Sequence, residues 1–546
     1  MILRLNDFDN TEIVKSDICI IGGGPAGISI ANSLNNSNIK VLLIESGSEK
    51  YDKMNQALSS GINEDFGDYP YPSYSLIGAR VRALGGSSMV WRGWSAPLQE
   101  IDLKKKSWVP NSGWPLGLNE LTKYYEKAQD TLDLGPLLYN DELLELCYDK
   151  PDLIDDRIFK LKCWQFPFNN PTRFWGKYKT DLKNSKNVTV ILNANLYDFV
   201  TNDANNKVEK IKVSSLDKKK ITIEAKYYVL AVGGVENARL ILNHEKKHGK
   251  KLGNHADIVG SFFMEHPHCV CADFYPNNNF IKNFSYYIKK HIFAGPVINI
   301  DNKKFRMGTG ISLNDNIQEK YKTLNSCITF NINRFLELPS LISILYFLQA
   351  KNIPISKERL LQMFISELPY SVREIIRTLL FYPKFVQPKL FLYSRSEQSP
   401  NINSKVSLID DKDPLGLYKV RLNWRMSALD KKSILTTTNI FSSSIKQKNL
   451  GKIVVRNWLL ENSTEGWPSY KDKKFILGIG HHMGTTRMSN NRVDGVVDKN
   501  CKMYGLSNLF IAGSSVFPSS GYANPTLTIV ALSLRLADLL KGKFHK

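Results

Sequence analysis

The chain has 546 residues, of which 42% are hydrophobic, 11% aromatic and 23% charged. It is too long for a disulfide-stapled mini-protein and too apolar for a disordered one, and at ~150 residues per domain it has room for two to four domains. Its 73 Lys and Arg against 52 Asp and Glu leave a formal charge of +21, a field that attracts anions without choosing between nucleic acid, an anionic membrane and an acidic partner. The lysines are spread along the chain, as at Lys104 to Lys106 and Lys218 to Lys220. No recognition motif accompanies them, so the charge reads as solvated surface and no nucleic-acid partner is expected. Seven cysteines form an odd set without a CxxC spacing, and the N-terminus MILRLNDFDN shows no export signal. The expected location is a reducing cytoplasm.

Residues 17–21 (DICII) are an almost wholly apolar run, as expected for a strand buried on both faces of a parallel sheet. Gly22, Gly24 and Gly27 follow it in a GxGxxG pattern. Gly22 permits the tight turn, Gly24 lets backbone approach a pyrophosphate, and Gly27 lets the next helix pack on the strand. The helical pattern GISIANSLNNSNIK then leads to a second strand, VLLIES, which ends near Glu45. An acid there is placed to accept hydrogen bonds from an adenosine ribose. This unit predicts a bound dinucleotide and leaves FAD and NAD both open.

Farther along come Ala83-Leu84-Gly85-Gly86-Ser87-Ser88 with Trp91, Gly113-Trp114-Pro115, YVLAVGGVENARLIL from Tyr228 to Leu242, Phe263-Met264-Glu265-His266-Pro267, EQSPNINSKVSL, and the run from His481 to Leu540. With the N-terminal glycines, these segments resemble the glucose-methanol-choline (GMC) oxidoreductases along almost the whole chain, through the branch of pyranose oxidases and fructose and gluconate dehydrogenases. The resemblance implies an α/β fold: a Rossmann-like FAD-binding domain from residues 1–100, 186–264 and 476–546, and an α+β substrate domain with an antiparallel sheet from 101–185 and 265–475. It also implies FAD-dependent oxidation of an alcohol, first of all a sugar hydroxyl, with oxygen, a quinone or a separate redox protein as electron acceptor. A non-redox FAD lyase, or a sterol or choline oxidoreductase, is the alternative.

Within that resemblance the cofactor-binding candidates are Gly22, Gly24, Gly27, Glu45, Gly85, Gly86, Ser87, Ser88, Gly233, Gly513 and Pro525. Some sugar oxidases of the family link flavin through a His just before the Trp of the GGSS region; Val90 stands there in this chain and cannot form that bond, so non-covalent FAD is expected. His481 in GIGHHMGTTRM matches the family's His-x-x-Gly-Thr arrangement and is the expected base. His482 is the expected orienting neighbour, and Asn524, just before a helix opened by Pro525, is expected to hold the substrate oxygen or to cap the helix. His266 and His268 lack the carboxylate or cysteine that would complete a metal site, so they read as packing near the flavin and no metal is expected. Residues 338–394 mix short apolar pieces with Lys, Arg and Pro. Neither piece reaches the ~20 residues of a membrane span, which leaves helices over a domain edge or peripheral membrane contact.

Overall fold

A computed structural model describes residues 1–63, 76–147, 155–253, 256–280, 296–331, 389–460, 476–477 and 480–544. The segment considered for membrane contact lies outside these residues except for 389–394. No helix among the described residues is long and apolar enough to cross a membrane.

The described residues form a mixed α/β structure with several sheets. The first sheet has eight strands, six of them parallel: Ile2–Arg4, Val188–Leu192, Val41–Ile44, Ile13–Ile21, Lys220–Leu230 and Leu509–Ile511. The antiparallel hairpin Asn195–Thr201 and Val208–Ser214 extends it. Its central strands are apolar because both faces are covered. Ile18 to Ile21 and Val41 to Ile44 are all buried, as continuous rather than alternating hydrophobicity requires. The apolar run at 17–21 is therefore the inner end of a longer strand whose outer half alternates toward solvent.

The second sheet is antiparallel throughout. Its main path runs Val297–Ile300, Lys303–Leu313, Ser326–Asn331, Leu390–Ser396, His268–Pro276 and Gly451–Val455, while Phe159–Pro167 pairs with Lys303–Leu313 and Ile476–Leu477 with His268–Pro276. The helix Ala428–Gln447 packs across it, burying Ile434, Phe441 and Ile445. A small third sheet joins Lys405–Lys412, Tyr418–Asn423 and Gly61–Asn63.

Helix Pro25–Ser33 follows the first glycines, with Gly24 as its N-cap and Pro25 at the first helical position, where the missing N–H costs nothing. The C-terminal helix Thr526–Gly542 packs against it and against Leu118–Thr131. Gly22 has φ 110°, and a Cβ on Gly27 would stand 1.9 Å from the Gly22 carbonyl oxygen. Both therefore have to be glycine for the helix to lie this close to the strand. Gly27→Ala is expected to cost about 1–3 kcal/mol through overpacking, seen as a lowered denaturation midpoint; an unchanged midpoint would mean that the helix does not sit on the strand in this way.

Candidate active site

Residues 481–488 run between the two large sheets. On one side Met483 and Met264 exchange backbone hydrogen bonds of 3.0 Å, just before strand His268–Pro276 of the second sheet. On the other, the N–H groups of Gly484, Thr486 and Met488 donate to the carbonyls of Ser514, Ser515 and Val516, just beyond strand Leu509–Ile511 of the first. The fit is close. A Cβ on Gly484, at φ 86°, would lie 2.2 Å from the Phe262 carbonyl oxygen, and one on Gly234 would lie 2.3 Å from that of His482. The Thr485 hydroxyl donates to the Gly234 carbonyl. His481 thus stands at the junction of the sheets, and Glu265, fully buried, fixes its backbone by accepting its N–H at 2.7 Å.

The side chain of His481 has a partner at each ring nitrogen. Its Nδ1 lies 2.9 Å from Nδ1 of His266, and its Nε2 lies 3.4 Å from the Asn524 amide nitrogen. Nε2 of His266 faces two carbonyl oxygens, Gly521 at 2.9 Å and Ser520 at 3.4 Å. These oxygens only accept, so His266 carries its proton on Nε2 and its Nδ1 is an acceptor. His481 must then donate from Nδ1, which leaves its unprotonated Nε2 to accept from the Asn524 amide. The bond network therefore fixes which nitrogen of His481 can take a proton.

The surroundings keep these rings neutral. Burial, aided by the nearby His266, His482 and Arg395, holds His481 well below the usual imidazole range. Burial likewise pushes His266 down to about 4, despite the opposing carbonyl hydrogen bonds, and His482 down to about 3. The His482 ring packs against Phe263, 5.5 Å between centroids, with Nε2 4.0 Å from a Glu265 oxygen. The orienting contact to His481 thus comes from His266 rather than from the expected His482, whose ring is turned to Phe263 and Glu265. Asn524 makes no helix-capping bond: Pro525 occupies the N-cap of Thr526–Gly542.

The expected cofactor residues gather at the ends of the first-sheet strands. The Gly85 N–H donates to the Gly23 carbonyl at 2.7 Å, and a Cβ on Gly86 would reach the Cα of Gly24 at 2.9 Å, so the two glycine turns are seated on each other. A Cβ added to Gly24, Gly233 or Gly513, in contrast, would meet nothing within 4 Å. These three border open space, as backbone that must approach a ligand does. Gly24 and Gly233 also stand at helix starts, where N–H groups suit a phosphate. Glu45 accepts from the Gly23 N–H at 2.8 Å through one oxygen and from the Gly47 N–H at 2.8 Å through the other. Its first task is to tie the glycine turn to the second strand. Ser87 is exposed, whereas the buried Ser88 hydroxyl donates to the Gly85 carbonyl and shapes the turn.

Glu265 and Arg395 were not among the residues expected at the site, and His266, expected only to pack near the flavin, holds His481. Glu265 and His266 belong to the motif FMEHPH, whose spacing carries no signal for their contacts to a segment more than 200 positions away. Arg395, in strand Leu390–Ser396, stands just before the segment EQSPNINSKVSL, and only the sheet register places it near the histidines.

Residues 400–533 match the family model described as GMC oxidoreductase. The fructose dehydrogenase large subunit of Gluconobacter japonicus is 22% identical over 97% of this chain and 98% of its own length. The 2-methyl-1,2-propanediol dehydrogenase of Mycolicibacterium austroafricanum is 29% identical over 30% of this chain and 27% of its own. Among solved structures, a variant of Aspergillus oryzae RIB40 formate oxidase, studied for its FAD modification, superposes with a TM-score of 0.55 at 17% identity, covering 98% of this chain and 99% of that one.

The neutral histidines also set a pH dependence of stability. His266 and His482, and His268, whose value burial and Arg395 hold well below the usual range, resist protonation in the folded state. The unfolded chain takes up those protons near pH 6.5, so stability falls as pH drops below that value, by up to about 1.4 kcal/mol per pH unit for each histidine. Asp430 opposes this: burial raises its carboxyl to about 7, and its contribution grows as pH falls toward the ordinary carboxyl value. Glu397, also raised by burial, acts in the same sense as Asp430, but four imidazoles with His481 outweigh two carboxyls, so urea midpoints should decline between pH 6.5 and 4.5, and a flat profile would contradict the neutral assignment.

Proposed function

We propose that this chain, which belongs to the GMC oxidoreductases and is an oxidoreductase of CH–OH groups, binds FAD and oxidises a sugar or sugar-derived hydroxyl to a carbonyl with His481 as base. The observation that carries the reading is the unprotonated Nε2 of His481, fixed by the His266 contact and facing the amide donor of Asn524. In the reaction, Nε2 takes the hydroxyl proton and the Asn524 amide holds the oxygen as its negative charge grows, without titrating itself. When bound, FAD supplies the acceptor for the hydride, which carries both electrons of the C–H bond. Proton and hydride together account for the two hydrogens lost.

The chain's residues fit that cofactor. Gly24, Gly233 and Gly513 offer backbone beside open space, Gly85 and Gly86 seat the second turn, and Glu45 stands at the end of the second strand as a ribose partner. Val90 in place of a histidine supports non-covalent binding. The reading assigns residues 1–100, 186–264 and 476–546 to the FAD-binding domain and 101–185 and 265–475 to the substrate domain. In its support, every strand of the first sheet falls in the former segments and, apart from the two residues Ile476–Leu477, every strand of the second falls in the latter. The sugar assignment rests on the full-length likeness to a fructose dehydrogenase subunit.

Anaerobic mixing with a panel of sugars and sugar alcohols should bleach the flavin bands, and acid precipitation should leave the yellow colour in the supernatant. His481→Ala should keep FAD yet slow flavin reduction by ~10²–10⁴-fold; reduction at the wild-type rate would remove His481 from the chemistry. Because burial holds its pKa well below 6.5, the reduction rate should stay level from pH 8 through 6.5 and fall only at lower pH, as Nε2 becomes protonated. Gly24→Ala, with φ −82° and nothing near its Cβ, should fold normally but bind FAD about tenfold or more weakly. Unchanged FAD affinity would place the pyrophosphate elsewhere.

A further inference from the structure

Arg395 lies close enough to His268 and His481 for its charge to act on both. Its Cα is paired with His268 on one side and with Cys327 on the other, and residues directly opposite in antiparallel strands point to the same face. That face carries the histidine chain: the His268 ring stacks on His266 at 6.3 Å, and His266 holds His481. The Arg395 guanidinium lies over the Trp94 ring, 4.0 Å from its centroid, with Trp164 at 5.9 Å and Tyr393 at 5.7 Å.

Among the described residues, this cation has no carboxylate partner and donates no hydrogen bond. Its Nε is enclosed and unbonded, while the residue as a whole keeps part of its surface open. The groups that act on its charge are Tyr393, Cys327 and Arg92, and burial lowers it only to about 10, so it remains protonated. Lys162, 4.7 Å from the centroid of the ring of Tyr522, which stands two residues before Asn524, adds only part of a positive charge, because burial lowers its amine to about 7. The nearby carboxylate of Asp102 is occupied by the Asn325 amide at 2.7 Å and the Gln99 N–H at 2.9 Å. A buried guanidinium without an anion is costly, and its planar fork matches a carboxylate or phosphate bidentately.

We infer that Arg395 binds an oxyanion group of the substrate, so that the alcohol oxidised here is an anionic one, a sugar acid or a sugar phosphate, held by its anion while a hydroxyl faces His481. The inference rests on the proposed alcohol oxidation for its redox part and on Arg395 alone for its binding part.

Two measurements test it on the flavin-loaded protein. In the first, gluconate, glucuronate and glucose 6-phosphate are compared with glucose and fructose as reductants of the flavin, in the wild type and in Arg395→Gln and Arg395→Lys. An anionic compound should be preferred about tenfold or more in kcat/KM, and Arg395→Gln should abolish that preference mainly through KM, with Arg395→Lys restoring part of it. Carboxylate and phosphate compounds within the panel show which oxyanion is taken. Preference for the neutral sugars, or an equal loss for both kinds in Arg395→Gln, would overturn the inference while leaving alcohol oxidation standing. In the second, equilibrium binding of the same anions is measured without turnover. Binding that is weakened about tenfold or more in Arg395→Gln, in a protein whose flavin no compound reduces, would support the anion site and refute the redox reading. Binding of the anions that is equal in both proteins would refute the anion site whatever the flavin does.

Discussion

The site depends on the clamping of residues 481–488 between the two large sheets. Three backbone hydrogen bonds to 514–516 and a reciprocal pair with Met264 hold one short segment on both sides. The contact is possible only because Gly234 and Gly484 lack side chains where a Cβ would collide with a carbonyl. With the segment so placed, His481 has no choice of neighbours. One sheet brings His266 to its Nδ1, and the entry to the C-terminal helix brings Asn524 to its Nε2. Preorganisation of this kind lets a base act without paying for rearrangement during the reaction.

The surrounding interior holds more charge than a hydrophobic core would, and the charges are mostly matched. Glu236 accepts from Arg82 at 2.7 Å, Arg239 at 2.8 Å and Arg80 at 3.1 Å, and Arg239 also reaches Asp413 at 2.6 Å. This cluster ties the segment before the GGSS turn, helix Gly233–His248 and the third sheet together. Three cations around one carboxylate hold Glu236 well below the usual range despite its burial. Lys106 and Glu397 form another enclosed pair at 2.8 Å. Removing one partner from such a pair leaves an uncompensated buried charge and costs several kcal/mol. Against that background, Arg395 stands out.

Much of this was legible in the sequence, and the part that was not follows a rule. The parallel sheet could be read because strand-plus-glycine-plus-helix is a local pattern, contained within residues 13–33. His481 and Asn524 could be named because each lies in a distinctive run. The structure brings them together over 43 positions, with their side chains 3.4 Å apart. What could not be read was any contact defined by sheet register. Arg395 reaches the site through pairings between strands far apart in sequence, where a shift of one residue would turn its side chain to the other face, and His266 through the Met264–Met483 bridge just before such a strand. His482 shows the converse: adjacency in sequence suggested a partnership, but its ring packs against Phe263 instead. Glu45 keeps its predicted place, but its carboxylate is already engaged with two backbone N–H groups.

The orientation of the histidine pair has a consequence for the traffic of protons. A proton arriving at His481 Nε2 makes an imidazolium whose Nδ1–H points at His266, and the His266 Nε2–H in turn points at the Gly521 and Ser520 carbonyls. A peptide carbonyl does not pass a proton onward under ordinary conditions, so the chain is closed at its inner end. It cannot drain a proton toward the protein interior. In the proposed alcohol oxidation, a proton taken up at His481 Nε2 would therefore have to leave from Nε2 again, on the side of the Asn524 amide, before the residue could act a second time.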